Sequence, residues 1–231
     1  MEHIVETAQS IGIVVAEILL AIYFCKQYID KYQKEHPRSI SDDVVKQNPI
    51  DLEIIERMDY YKELLKADRI LLFEFHNGQH YSNYRSALKM SASYEVYRAG
   101  LDSARERCAN LPIAIMPRFI ASITRDGFTW CKDIEEIKYD MGNSYEFKKS
   151  IGIKSFYDIA IRDEEGCVIG FVAVQWNDTM PTDIDVKNIE HLAWHLEEAV
   201  KKLTIIGHGK KARKKLKKAR TARRQGKGGQ E

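Results

Sequence analysis

Cysteine is scarce and scattered in this chain. Cys25, Cys108, Cys131 and Cys167 show no CxxC spacing, which gives neither a zinc site nor a disulfide framework and fits a reducing compartment. A Walker loop, a GxSxG elbow and paired carboxylates at a defined spacing are also missing, so phosphate-cradling and acyl-transfer chemistries have no carrier. At 231 residues with a hydrophobic share of 44%, the chain can bury one good core with appendages, but not a sensor plus a catalytic output domain. Acid is nearly absent from the carboxyl end. Residues 210 to 227 hold 11 Lys and Arg, and Glu231 is the one acid after Gly209, which leaves 25 basic against 33 acidic residues before that point. The net charge of +2 thus hides an acidic body and a basic tail.

One long apolar run is present. Ala8 to Cys25 is almost unbroken, and with Tyr28 and Ile29 as an interfacial end it reaches about 20 residues, the length of a membrane span. We read residues 1–29 as a transmembrane anchor rather than a cleaved signal, because no small-x-small site follows it. Glu17 at mid-span costs roughly 2.5–3.5 kcal/mol on insertion scales and is expected to face another helix or water. Lys26, Lys31, Lys34 and Arg38 follow the run, so the amino terminus is expected outside and the rest in the cytoplasm.

Residues 30–48 read as a polar linker. Asn48 is placed to cap a helix with Pro49 in its first position, and Ile54, Ile55, Met58, Tyr61, Leu64 and Leu65 recur at helical spacing. A strand is expected over Arg69–His76, a second within Ser86–Tyr97, a short helix from Pro117, a brief strand over Phe128–Asp133 and a helical turn over Asn143–Ile151. Two β-branched and aromatic runs then flank Asp163-Glu164-Glu165-Gly166, which predicts a hairpin from Ser155 to Trp176. With Arg162 opposite Cys167, one face carries Tyr157, Ile159, Ile161, Val168, Val172, Val174 and Trp176; the other carries Phe156, Asp158, Ala160, Phe171, Ala173 and Gln175. Polar groups set into that second face need partners or a ligand, so it is read as the floor of a pocket. Thr182 and Asp185 open a last helix in capping-box fashion. Its seam of Ile189, Ala193, Leu196, Val200 and Leu203 is expected to end by Gly207 and to pair two chains. Residues 207–231 are expected to be disordered.

The stretches Asp68–Gly78 and Ile151–Val174, in the order helix, strand, strand, short helices, strand, hairpin, helix, resemble the GAF domain over roughly residues 49–206. The whole chain is also similar to small membrane-anchored GAF-like proteins of bacteria and their phages. The resemblance implies an α/β (α+β) fold with a six-stranded antiparallel sheet and helices on both faces, terminal helices that often form a dimer, and a small-molecule pocket. A PAS-like arrangement is the alternative. The Asn-Lys-Phe-Asp-Glu set of cyclic-nucleotide-binding GAF domains is missing, and no cysteine stands in a tetrapyrrole-attachment context.

Glu74, His76, Tyr94, Arg118, Trp130, Asp158 and Gln175 are the pocket candidates, with Tyr157 as a further aromatic wall. The competing reading pairs Glu74 and Asp158 with Arg162 or Arg118 as buried structural ions. His76 and His80 straddle Gly78, and His191 with His195 lacks a third ligand, so neither pair is expected to hold a metal. Lys210, Lys211, Arg213, Lys214, Lys215, Lys217, Lys218, Arg220, Arg223 and Arg224 are expected to bind polyanions by counterion release, and no aromatic is interleaved to read bases. The anionic inner leaflet is the rival partner. The expected function is that of a membrane-anchored sensory or small-molecule-binding module, without catalytic output of its own, acting through a protein partner and with an unidentified ligand. The alternatives are a structural tether from membrane to nucleic acid and a GAF-type free methionine sulfoxide reductase. On the sensor reading, Asp158→Leu is expected to preserve or raise the melting temperature.

Overall fold

The computed structural model describes residues 15, 17–28, 40–80 and 86–226, the side chains of 40–43, 79 and 207–226 excepted. The chain divides into two units, Met1–Lys46 and Gln47–Glu231, and the second holds the sheet. Helix α1 (Ile40–Leu64) leads to β1 (Arg69–His80), β2 (Ser86–Tyr97) and β3 (Leu111–Pro112). Then come α2 (Pro117–Arg125), β4 (Phe128–Cys131), α3 (Lys138–Met141) and α4 (Asn143–Ser150). The hairpin β5 (Ser155–Arg162) and β6 (Val168–Trp176) precedes α5 (Val186–Gly226). The six strands form one antiparallel sheet in the order β3-β2-β1-β6-β5-β4, so the first long strand lies against the last.

Both faces of this sheet are covered, as its apolar alternation demands. On one face α1 and α5 pack Ile54, Met58, Leu192 and Leu196 against Ile70, Leu72, Tyr157, Val172, Val174 and Trp176. On the other, Phe73, Phe156, Phe171 and Ala173 meet Met116, Phe119 and Tyr145 from the short connecting helices. The hairpin turn is built as expected. The Asp163 carboxylate accepts from the Glu165 and Cys167 amides, each at 2.9 Å, and Gly166 supplies the positive φ. The register differs by one residue: Arg162 faces Val168, and an irregularity follows Ile161. That bulge moves Val168 to the Phe171 face, against the simple alternation, because an extra residue reverses side-chain direction.

Gly170 sits where β6 meets Phe73 of β1, and a Cβ there would lie 2.0 Å from the Phe73 carbonyl oxygen. Backbone on a central strand has nowhere to retreat. Gly170→Ala should therefore lower stability by about 1–3 kcal/mol, as overpacking does, read as a fall in the urea midpoint. An unchanged midpoint would refute this packing.

The bounds of both terminal helices differ from the expected ones. Helix α1 begins at Ile40, so residues 40–48 belong to it, Asn48 is no cap, and Pro49 is interior. Pro49 costs the one amide bond that would reach Val45. Helix α5 is capped by Asp185, whose carboxylate accepts from the Lys187 amide at 3.0 Å, and Thr182 takes no part. It does not stop at Gly207 but runs 41 residues, through the basic stretch expected to be disordered. Lys, Arg, Ala and Leu are strong helix formers, and Gly207 and Gly209 cost roughly 1 kcal/mol each. Its seam is not free for a second chain either: Ile189, Ala193, Leu196 and Val200 are buried against the sheet and α1, with Leu203 partly so.

Among the described residues no helix is long and apolar enough to cross a membrane. The expected span lies partly outside them. Residues 17–28 are helical, with Ile18, Leu19, Leu20, Ile22, Tyr23 and Phe24 all exposed.

Candidate functional site

The expected pocket residues do not share a face. Glu74 and His76 alternate with Phe73 and Phe75 on β1 and therefore point to the side of α1 and α5. His76 Nε2 lies 2.8 Å from Ser91 Oγ, the cross-strand partner of Glu74. Tyr94 is on the same side. Its hydroxyl donates to the Asp51 carboxylate of α1, and burial first, then that hydrogen bond, pushes the phenol well above its ordinary value. Trp130 pairs with Tyr157 across β4 and β5 but is 48% exposed, beside Phe128, which stacks on Tyr157 at 5.8 Å. Arg118 is exposed and donates to the Asp140 and Tyr139 carbonyls at 2.8 and 3.3 Å, so it ties α2 to the segment of α3. Arg162 donates to the Gly166 carbonyl.

Asp158 and Gln175 remain, on the opposite face, and both are buried, at 0% and 3% exposure. The partner of Asp158 is Lys148 of α4, a residue that the sequence reading did not single out. Lys148 Nζ donates to Asp158 Oδ2 at 2.6 Å, with side-chain exposures of 7% and 0%. The ammonium also stands 3.8 Å from the Phe156 ring centroid and 5.3 Å from that of Phe119, so aromatic faces take its remaining charge. Helix geometry explains the placement: Ser144 and Lys148 are four apart and both face the sheet. Burial raises the Asp158 carboxyl above its ordinary value, with Lys148 opposing the shift.

These groups surround a cavity between the sheet and the short helices. It is lined by Phe73, Met90, Met116, Phe119, Ser144, Phe147, Lys148, Phe171, Ala173 and Gln175, and its volume is about 20 Å³. That admits one water. Phe73 stacks on Phe171 at 4.6 Å, and Phe119 meets Phe171 edge-on at 5.2 Å, so aromatic side chains occupy the centre. One acceptor of the lining, Gln175 Oε1, is buried without a hydrogen-bond partner, and so is Asp158 Oδ1, outside the lining. On the same face Arg69, opposite Gln175, brings Nε to 3.0 Å from Glu95 Oε1 and donates through Nη2 to the Asp102 carbonyl at 2.7 Å. Glu95 also accepts from the Ala104 amide at 2.8 Å, so this second buried pair fastens the segment after β2.

The two buried thiols are held protonated. Burial, reinforced by Glu95, pushes the Cys108 thiol up to about 11, and burial raises Cys131, whose thiol donates to the Asp133 carbonyl at 2.7 Å. Thiols held protonated are poor nucleophiles. Among the described residues no group of three His, Cys, Asp or Glu side chains could hold a metal ion. His195, near Tyr61 and Trp194, is lowered by burial, then by Arg57 and His191.

No family model matches the sequence, and no curated protein does. Solved structures do match. The blue-light-absorbing form of the Thermosynechococcus elongatus PixJ GAF domain aligns over 72% of this chain and 89% of its own, at 12% identity and TM-score 0.50. The phycoerythrobilin-bound GAF domain of a cyanobacterial phytochrome aligns over 70% of this chain and 95% of its own, at 14% identity and TM-score 0.50. A phycocyanobilin-bound GAF domain of a cyanobacterial phytochrome covers 70% and 94%, again at 14% and 0.50. At such identities the likeness speaks to the fold, a mixed α/β GAF-like arrangement, and this is the first of the two folds expected from the sequence.

Proposed function

We propose that this chain, whose fold is GAF-like, is a sensory module that binds a small molecule on the sheet face opposite α1 and α5 and acts through a protein partner rather than by catalysis. The observation that carries this reading is Gln175 Oε1, a buried acceptor without a partner on the wall of a cavity roofed by short helices. A buried acceptor without a donor costs about 1–3 kcal/mol, a cost that a ligand or a water removes. Two GAF neighbours carry bilins; a cavity of about 20 Å³ favours a much smaller ligand here. Residues 1–29 serve as the anchor, with the amino terminus outside and the domain in the cytoplasm. In support, Ile18, Leu19, Leu20, Ile22, Tyr23 and Phe24 of that helix are all exposed, with Glu17 the one charge among residues 17–25. The basic end of α5 binds polyanions, nucleic acid or anionic lipid. A homodimer through the terminal helices would use their outer faces, where Tyr60, Leu64 and Trp194 are exposed.

The small cavity favours a second reading, a structural tether from membrane to nucleic acid. Native mass spectrometry of the full chain in mild detergent separates the two. The sensor reading expects a retained small-molecule mass that Gln175→Leu abolishes. No retained mass, together with loss of salt-sensitive nucleic-acid binding and of biological activity in a chain ending at Gly209, would leave the tether.

A further inference from the structure

We propose that the basic end of α5 lies in the major groove of double-stranded DNA, an inference that rests on the polyanion reading of that segment above. Helix α5 is continuous to Gly226, so positions 210–226 can be laid around its axis at about 100° per residue. The basic positions run from Arg220 through Lys217, Lys210 and Lys218 to Lys215, an arc of about 220°. The sector left over holds Ala219, Ala212 and Leu216, with Arg223 among them. More than half of the circumference is therefore basic, and no acid interrupts it.

That distribution selects among anionic partners by shape. A flat membrane meets one side of a helix and requires a broad apolar face to sink into the headgroup boundary; two alanines and one leucine, divided by Arg223, do not supply it. A groove uses both flanks. The major groove of B-DNA is about 12 Å wide and admits an α-helix, whose own diameter is about 10–12 Å, and its phosphate rims then stand on either side of the basic arc. The major groove of an RNA duplex is too narrow and deep to be entered in this way. Single strands are held by bases stacked on aromatic rings, and residues 210–231 contain no Phe, Tyr or Trp. At 1.5 Å per residue positions 210–226 extend about 25 Å, which follows about seven base pairs at 3.4 Å each.

Fluorescence anisotropy tests the partner, with the full chain in phosphatidylcholine nanodiscs and three labelled probes of about two helical turns: duplex DNA, duplex RNA and single-stranded DNA of matched sequence. Duplex DNA should bind at least about tenfold more tightly than either of the others. Two double variants test the groove by removing charge from opposite flanks, Arg213→Gln with Arg220→Gln, and Lys211→Gln with Lys215→Gln. Each should flatten the slope of log K against log salt by about 2, because both rims are contacted. A slope that responds to only one of the two variants places the helix on a flat surface and overturns the groove. Trypsin cleavage within residues 210–226 tests the lipid: duplex DNA should slow it, and discs containing phosphatidylserine should not. Equal protection by those discs, or equal or tighter binding of duplex RNA or the single strand, overturns duplex DNA and leaves the polyanion reading in place. No binding of any nucleic acid and no protection by lipid overturns both.

Discussion

Asp158→Leu should destabilise the domain by about 3–5 kcal/mol, while the double substitution Asp158→Leu with Lys148→Met should be neutral or more stable than the natural chain by about 1–4 kcal/mol. The single change leaves the Lys148 ammonium in a site of 7% exposure with only ring faces for company. The double change replaces a buried ion pair with apolar side chains of similar volume, and removes the unpartnered Oδ1 as well. The outcome expected from sequence alone, an unchanged or raised melting temperature for Asp158→Leu, is reversed, because a partner for the carboxylate comes from α4. Urea midpoints of the two variants decide the matter; a single variant as stable as the natural chain would sink it. The pair also has a pH signature. Burial holds the Asp158 carboxyl above its ordinary value, so the folded state binds this proton more tightly than the unfolded one. Its contribution to stability is therefore fully present below the unfolded value, about 3.9, and is lost as pH rises through the folded one. The double variant should lack that slope.

Leu196→Glu should unfold the domain rather than split a dimer, at a cost of more than about 3 kcal/mol. Leu196 is fully buried between the sheet and α1, among Ile54, Met58, Val172 and Val174. A carboxylate there loses the leucine's packing and enters a cluster of apolar side chains. Circular dichroism against temperature and sedimentation on the same sample distinguish the outcomes. A folded monomer would contradict this assignment of the seam.

Much of the sheet was legible because alternation is local. Phe156, Ala160, Phe171 and Ala173 fell on one side, and Tyr157, Ile161, Val172, Val174 and Trp176 on the other, from spacing alone. Val168 was not, since a bulge after Ile161 leaves no mark in the run Cys-Val-Ile-Gly. The candidate site was half legible for a related reason. Asp158 and Gln175 announce themselves as polar residues in apolar strands. Glu74 and His76 do too, but whether one strand's odd positions join another's even ones depends on cross-strand register, here Phe73 against Phe171, which separates the two pairs. Lys148 was invisible. On a short helix reading Asn-Ser-Tyr-Glu-Phe-Lys-Lys-Ser, nothing distinguishes it from Lys149, which is exposed and holds Glu135.

Helix α5 joins the two ends of the molecule's chemistry without a joint. Its first turns cover the sheet as far as Val200, and the same rod continues to Gly226. At 1.5 Å per residue the stretch beyond Val200 is roughly 40 Å long, so it acts as an index needle fixed to the back of the sheet. A tilt of about 5° at its base displaces the far end by about 3 Å. Residues 210–226 are accordingly the part of the helix that any tilt arising from a repacking around Val172 or Val174 would move furthest.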